Sequence, residues 1–197
     1  MRIGILTLPF NWNYGGIIQC FALQTVLQRM GHEVVILDRK FAYPPLGMVM
    51  LRLGSVVKCF VRRYFFGNRS IRLSNPFLHN YYIKYPIWDS SANISFIHSN
   101  FKFTPSTTSS RALRNYVLRH QLDCIVVGSD QVWRECYCPC ITDYFLGFLP
   151  SGCKVRKIAY AASFGVQDSP ISARWLDECI RLAGRFDALS VREDSGV

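Results

Sequence analysis

Short apolar runs that stop abruptly at small and polar residues recur along this chain. Residues 123–127, Asp-Cys-Ile-Val-Val, end in Gly128-Ser129-Asp130-Gln131. A continuous apolar run bounded by turn residues predicts a strand buried on both faces of a parallel sheet. Residues 3–8, 33–38, 156–162 and 188–191 carry the same signature. Between the first two runs the apolar period lengthens to that of a helix. Over 17–30, Ile17, Cys20, Phe21, Val26, Leu27 and Met30 lie to one side, and Gly31 supplies the stop. Further helices are expected over 111–120 and 171–184, the latter with Trp175, Leu176, Cys179, Ile180 and Ala183 inward. Residues 143–149 form a short apolar element closed by Pro150. Strand, glycine-containing loop, helix and strand within the first forty residues make a βαβ unit with a right-handed crossover. The expected fold is therefore α/β, a doubly wound, mostly parallel, Rossmann-like sheet. It forms a single domain over 1–197 with a helical and loop excursion at 41–108.

Within that excursion, 46–66 reads as a helix with Arg52, Ser55, Lys58, Arg62 and Arg63 on one side. Val49, Leu53, Val56, Val57, Phe60 and Tyr64 occupy the other. Residues 67–108 contain Pro76, Pro86, Pro105 and a Thr/Ser cluster, which suits a short helix, a long loop and an extended piece.

Charge adds something the periodicity does not. The net charge is +10, yet residues 39–84 hold nine Lys or Arg and no acid, while the flanking segments nearly balance. One basic segment thus points to one anionic partner surface rather than a generally basic protein. Two readings stay open: a basic amphipathic helix lying on an anionic membrane or gripping an acidic glycan, or a packed helix with a solvated basic face. No nucleic-acid partner is expected. No run reaches ~18 uninterrupted apolar residues, and the N-terminus reads as a strand entering a turn rather than a signal peptide. The expected location is cytoplasmic, peripheral at the inner face of the membrane if the basic segment docks there. The eight cysteines are then expected as reduced thiols, with Cys20, Cys124 and Cys179 acting as small hydrophobes.

In open α/β sheets, ligands collect beyond the carboxyl ends of the strands. Three strands deliver small, polar and charged residues there: Ser129-Asp130-Gln131, Ser163-Phe164-Gly165 and Arg192-Glu193-Asp194. The competing reading for each is turn chemistry and helix capping. Gly15-Gly16 either turns backbone N–H groups toward a ligand at a helix N-terminus or makes a tight turn. It is neither the dinucleotide fingerprint G-x-G-x-x-G nor a P-loop, so Asp38, placed like a ribose-binding acid, stands without that support. Cys136, Cys138 and Cys140 lack the second, distant pair of a structural zinc site, so no metal is expected. His32, His79, His98 and His120 are scattered without partners at ligand spacing.

The assembled motifs resemble the polysaccharide pyruvyl transferase family. They are Ile3-Gly4-Ile5-Leu6-Thr7, Asn13-Tyr14-Gly15-Gly16-Ile17-Ile18-Gln19-Cys20-Phe21-Ala22-Leu23-Gln24, Gly128-Ser129-Asp130-Gln131-Val132-Trp133, Ile158-Ala159-Tyr160-Ala161-Ala162-Ser163-Phe164-Gly165 and Ser190-Val191-Arg192-Glu193. Order and spacing both fit. The resemblance covers most of 1–40 and 120–197 and corresponds to the N-terminal half of such proteins. It implies the N-terminal domain of a two-domain, glycosyltransferase-B-type architecture.

The implied activity is transfer of pyruvate from phosphoenolpyruvate to a sugar of a bacterial surface polysaccharide. Phosphoenolpyruvate is the donor substrate and no cofactor is implied. The acceptor is a glycan or lipid-linked oligosaccharide. In such enzymes the N-terminal half serves the acceptor, so this chain, which breaks off as a new helix begins, is expected to be truncated and inactive alone. The resemblance makes Asp130 the candidate for positioning or deprotonating an acceptor hydroxyl. Arg192 either reaches an anion or pairs with Glu193 or Asp194. Asn13, Gln19, Ser129, Gln131 and Ser163 are candidate sugar ligands, with Gly15, Gly16 and Gly165 in the loops around them. Tyr14 or Trp133 stacks on the sugar's apolar face, unless Trp133 belongs to the core. A nucleotide-sugar-dependent glycosyltransferase and a non-enzymatic interaction module remain the rival readings.

Overall fold

A computed structural model describes residues 1–10, 14–42, 90–165 and 171–193, together with Gly54, Val57, Lys58, Phe60, Val61, Tyr64 and Phe65. The chain divides into two compact units, Met1–Ala42 with Ile97–Val197, and Tyr43–Phe96. In the second unit, Val57, Phe60, Val61, Tyr64 and Phe65 are exposed. Most of the basic helix read over 46–66, including Arg52, Arg62 and Arg63, lies outside the described residues, as does Asn13.

The first unit is an α/β fold. Its strands are β1 (Arg2–Leu6), β2 (Glu33–Ile36), β3 (Cys124–Gly128), β4 (Arg156–Ala162) and β5 (Ala188–Val191). They form one sheet in the order β2-β1-β3-β4-β5, and every pairing is parallel. All five lie within two residues of their sequence-derived limits. β3 is buried along its whole length, which is why its sequence is continuously apolar rather than alternating.

Helices cover both faces. On one side, Ile17 and Cys20 of α1 (Tyr14–Arg29) pack with Ile5, Val34 and Ile36, and Leu23 and Leu27 reach Ile3, Cys124 and Val126. Phe10, Phe21, Phe101 and Phe103 extend that cluster through edge-on and tilted ring contacts. The opposite face carries Leu113 and Val117 of α3 (Ser110–Arg119), Ile141 and Tyr144 of α4 (Ile141–Tyr144), and Cys179 and Leu182 of α5 (Ala173–Ala183). The helix α2 (Ser90–Asn100) precedes Phe101 and Phe103, and Phe103 bridges Ile36 in parallel. Burial pushes the thiols of Cys20 up to about 12, and of Cys124 and Cys179 up to about 11, in keeping with cysteines that serve as small apolar side chains. Among the described residues no helix is long and apolar enough to cross a membrane.

Three local departures from the sequence reading have physical causes. α1 begins at Tyr14, so Gly15 and Gly16 form its first turn rather than a loop before it. Glycine is a weak helix former, and anchoring Ile17 and Cys20 immediately after the pair offsets that. The inward stripe is Ile17, Cys20 and Gln24, while Val26 and Met30 are exposed. Steps of three and four residues keep that stripe over the sheet, and Gln24 is admitted because its Nε2 donates to the Asn100 carbonyl at 2.7 Å. On α5 the same rule puts Leu182 inside and Ile180 outside.

α1 ends as expected at Gly31 (φ 83°), where His32 N–H bonds the Leu27 carbonyl and Gly31 N–H bonds that of Gln28, the paired bonds of a Schellman cap.

Candidate functional site

Parallel strands place every strand-to-helix turn on one edge of the sheet. Gly15 and Gly16, the 128–131 turn and the 163–165 turn therefore share the carboxyl edge. The chain leaves β1 toward β2 and later returns to β3 on its other side, so the topological switch lies between β1 and β3. Tyr144 ties the β1 end to that region by donating its hydroxyl to the Thr7 carbonyl at 3.3 Å.

At the end of β3 the chain turns through Gly128 (φ 130°) and a cis Gly128–Ser129 peptide. A Cβ on Gly128 would stand 2.1 Å from the Tyr160 carbonyl oxygen, so only glycine fits. The next residues are stitched to the end of β4. Ser163 N–H donates to the Asp130 carbonyl at 3.0 Å, and Trp133 N–H donates to the Ser163 carbonyl at 3.2 Å. Gly165 (φ 69°) lies against Gln131, whose Cδ would be 2.5 Å from an added Cβ. The Asp130 carboxylate accepts from the Gln131 amide at 2.8 Å, an arrangement that orients it within its own turn. Asp130 is buried, while Ser129 and Gln131 are half-buried, Gln131 accepting from Arg134 at 3.4 Å.

β4 and β5 together deliver a charged cluster. Ser163 is fully buried. Its hydroxyl accepts from Arg192 Nη2 at 3.1 Å and from the Gly165 amide at 3.0 Å, and donates to Glu193 Oε1. Arg192 Nε lies 3.9 Å from the same Glu193 oxygen, and the Arg192 side chain is 42% exposed. Burial opposes ionisation of Glu193. The Ser163 hydroxyl, the Gly165 amide, the Arg192 charge and the Phe164 amide outweigh it and hold the carboxyl below its ordinary range.

The other expected site residues divide between the core and this edge. Trp133 is in the core: its ring stacks on Phe145 at 4.8 Å, meets Phe164 and Phe186, and its Nε1 donates to the Tyr144 carbonyl at 3.1 Å. That position holds the 128–133 turn down and turns the indole away from the crevice. Tyr14 and Gly15 are exposed at the start of α1, with Gly16 and Gln19 half-buried beside them. Asp38 is fixed by Lys40 at 2.9 Å and by the Ser106 hydroxyl. Cys138 is buried and its thiol donates to the Val132 and Arg134 carbonyls, which makes it part of the turn's support. Glu193 is the partner that residue-by-residue reading underrates. The register places it there, since Ala162 pairs with Val191 and so sets Ser163 beside Arg192-Glu193, and residue type alone does not disclose that pairing.

A family model described as polysaccharide pyruvyl transferase matches residues 13–197. No curated protein and no solved structure matches the chain.

Proposed function

The chain belongs to the polysaccharide pyruvyl transferase family, and from that premise we propose that it takes part in moving pyruvate from phosphoenolpyruvate to a sugar of a bacterial surface polysaccharide. In this reading the first unit is the acceptor-side domain of a glycosyltransferase-B-type enzyme. The observation that supports it best is the convergence of the 128–131 turn, the 163–165 turn and Arg192 on one sheet edge, with Arg192 half-open to solvent. The reaction protonates the methylene carbon of phosphoenolpyruvate. A sugar hydroxyl then bonds to the adjacent carbon and a second hydroxyl displaces phosphate, leaving a cyclic ketal and free phosphate. Negative charge grows on the departing phosphate and must meet fixed cationic or N–H donors.

Arg192 is the group at this edge suited to a carboxylate or phosphate oxygen, because a guanidinium offers several donors in a fixed plane. Asp130, set by its own turn, orients the incoming hydroxyl, and Ser129, Gln131 and Gln19 supply neutral hydrogen-bonding groups for the sugar. The acceptor is a glycan or lipid-linked oligosaccharide, and the basic residues of 39–84, apart from Arg39, which is buried against Asp143, meet the anionic membrane surface on which such acceptors are built.

Because the acceptor-side domain is expected to be inactive alone, the deciding experiment follows phosphate release from phosphoenolpyruvate with and without a glycan acceptor, using the protein and its Arg192→Ala variant, each combined with a separately expressed donor-side domain of the family. Acceptor-dependent release, reduced by about 10²-fold in the variant, is the expected result, that being the scale for removing one donor to developing charge. Turnover of a nucleotide sugar, with phosphoenolpyruvate untouched, would refute the assignment.

A further inference from the structure

We propose that Ser163 and Glu193 act as positioning residues: together they clamp Arg192, so that its guanidinium meets an anionic group in one orientation, and Ser163 is not itself a sugar ligand. The inference rests on the reading of the carboxyl edge given above and assigns roles within it.

A serine hydroxyl offers one proton and two acceptor lone pairs. All three are engaged by Glu193, Arg192 and the Gly165 amide. Nothing remains on Ser163 for a sugar hydroxyl, and the residue is 0% exposed. The direction of the bonds matters as well. Because the Ser163 proton goes to a carboxylate, its lone pairs are left for donors, and the Arg192 guanidinium is drawn to one of them. The same Glu193 oxygen faces Arg192 Nε at 3.9 Å, so one carboxylate restrains the arginine both directly and through the serine.

The backbone supports the arrangement from both strands. Arg192 N–H donates to the Ala162 carbonyl at 3.0 Å, and Ser163 N–H to the Asp130 carbonyl at 3.0 Å. An arginine at a solvent edge ordinarily samples many rotamers, and ordering it when ligand binds costs entropy. A clamp built into the free protein removes that cost in advance.

The test reads Arg192 directly. In protein labelled with ¹⁵N-arginine, the Arg192 Nε–H resonance, identified by its loss in Arg192→Lys, reports how fast the guanidinium rotates. Glu193→Gln keeps the size of the side chain and removes its charge, and Ser163→Ala removes the bridge. Each should speed rotation by about tenfold, the scale set by losing one charge-assisted hydrogen bond. Glu193 is partly exposed, so Glu193→Gln is expected to fold even if Ser163→Ala does not. A second arm measures acceptor-dependent phosphate release in Glu193→Gln, Arg192→Ala and the double variant. A positioning role requires the double variant to be no slower than Arg192→Ala. Unchanged Arg192 rotation in Glu193→Gln, or losses that multiply in the double variant, would overturn the clamp. The resonance needs no substrate, so absence of pyruvyl transfer in the assay combined with the donor-side domain, with a clamped Arg192, would refute the proposed function and leave the clamp standing.

Discussion

Replacing Asp143 by alanine should destabilise the sheet unit by about 4 kcal/mol, through one buried charge left without its partner. Arg39 follows β2 at the carboxyl edge, and its Nε lies 2.7 Å from Asp143 Oδ2, with the two side chains only 5% and 2% exposed. Ser110 donates to the same carboxylate oxygen at 3.0 Å, and Arg39 Nη1 donates to the Lys40 carbonyl at 2.7 Å. Asp143→Ala leaves a guanidinium in a dry site, which costs roughly 3–5 kcal/mol in buried pairs, and strands the Ser110 hydroxyl. For a chain of this size, each kcal/mol lowers Tm by about 2–4 °C, so the expected fall is about 8–16 °C. Calorimetric melts of the wild type, Asp143→Leu, Arg39→Met and Arg39→Met/Asp143→Leu complete a double-mutant cycle, run beside Asp143→Ala. The apolar pair should recover most of the loss, because it removes both charges together. An Asp143→Ala melt within about 2 °C of wild type, or an apolar pair worse than either single change, would refute the account.

Three further outcomes follow from the site. Gly128→Ala should cost more than about 3 kcal/mol, since the new methyl meets a backbone oxygen, whereas Gly165→Ala should cost nearer 1–2 kcal/mol because the Gln131 side chain can swing aside; equal losses in denaturant melts would contradict this. Trp133→Phe should lower stability by about 1–3 kcal/mol by orphaning the Tyr144 carbonyl, while glycan binding by titration calorimetry stays within twofold; a large affinity loss with unchanged stability would return the indole to the crevice. Reversing Arg52, Lys58, Arg62 and Arg63 to Glu should abolish co-sedimentation with anionic vesicles, since a Lys or Arg near such a surface contributes about 1 kcal/mol; equal retention on neutral and anionic lipid would end the membrane proposal.

What the sequence disclosed about the fold was whatever burial alone determines. A strand covered on both faces has to be apolar throughout, so 124–128 announced itself, and the three polar turns after β3, β4 and β5 could be assigned to one edge without coordinates. Residue type was silent where a side chain suits two places. Trp133 is at home against a sugar or among Phe145, Phe164 and Phe186, and only packing separates the two. Arg39 and Asp143 are far apart in the chain, so neither hints at the other.

The Ser163 cluster was hidden for a sharper reason, which lies in β4 itself. Ala159 pairs with Leu189, yet Ala162 pairs with Val191, so β4 uses three steps where β5 uses two. The extra residue is accommodated near Ala161 (φ 46°), whose N–H donates to Ser190 Oγ at 2.9 Å while that hydroxyl donates to the Ala159 carbonyl at 3.3 Å. A regular ladder continued from Ala159 would bring Ser163 opposite Glu193. The bulge brings it opposite Arg192 instead, and turns over every side chain beyond that point, because the side-chain period of a strand is two. Ser190 therefore holds the register on which the clamp depends, through hydrogen bonds to the backbone of Ala159 and Ala161. No pattern of apolar and polar positions encodes that slip, which is decided by one hydroxyl bridging two backbone groups.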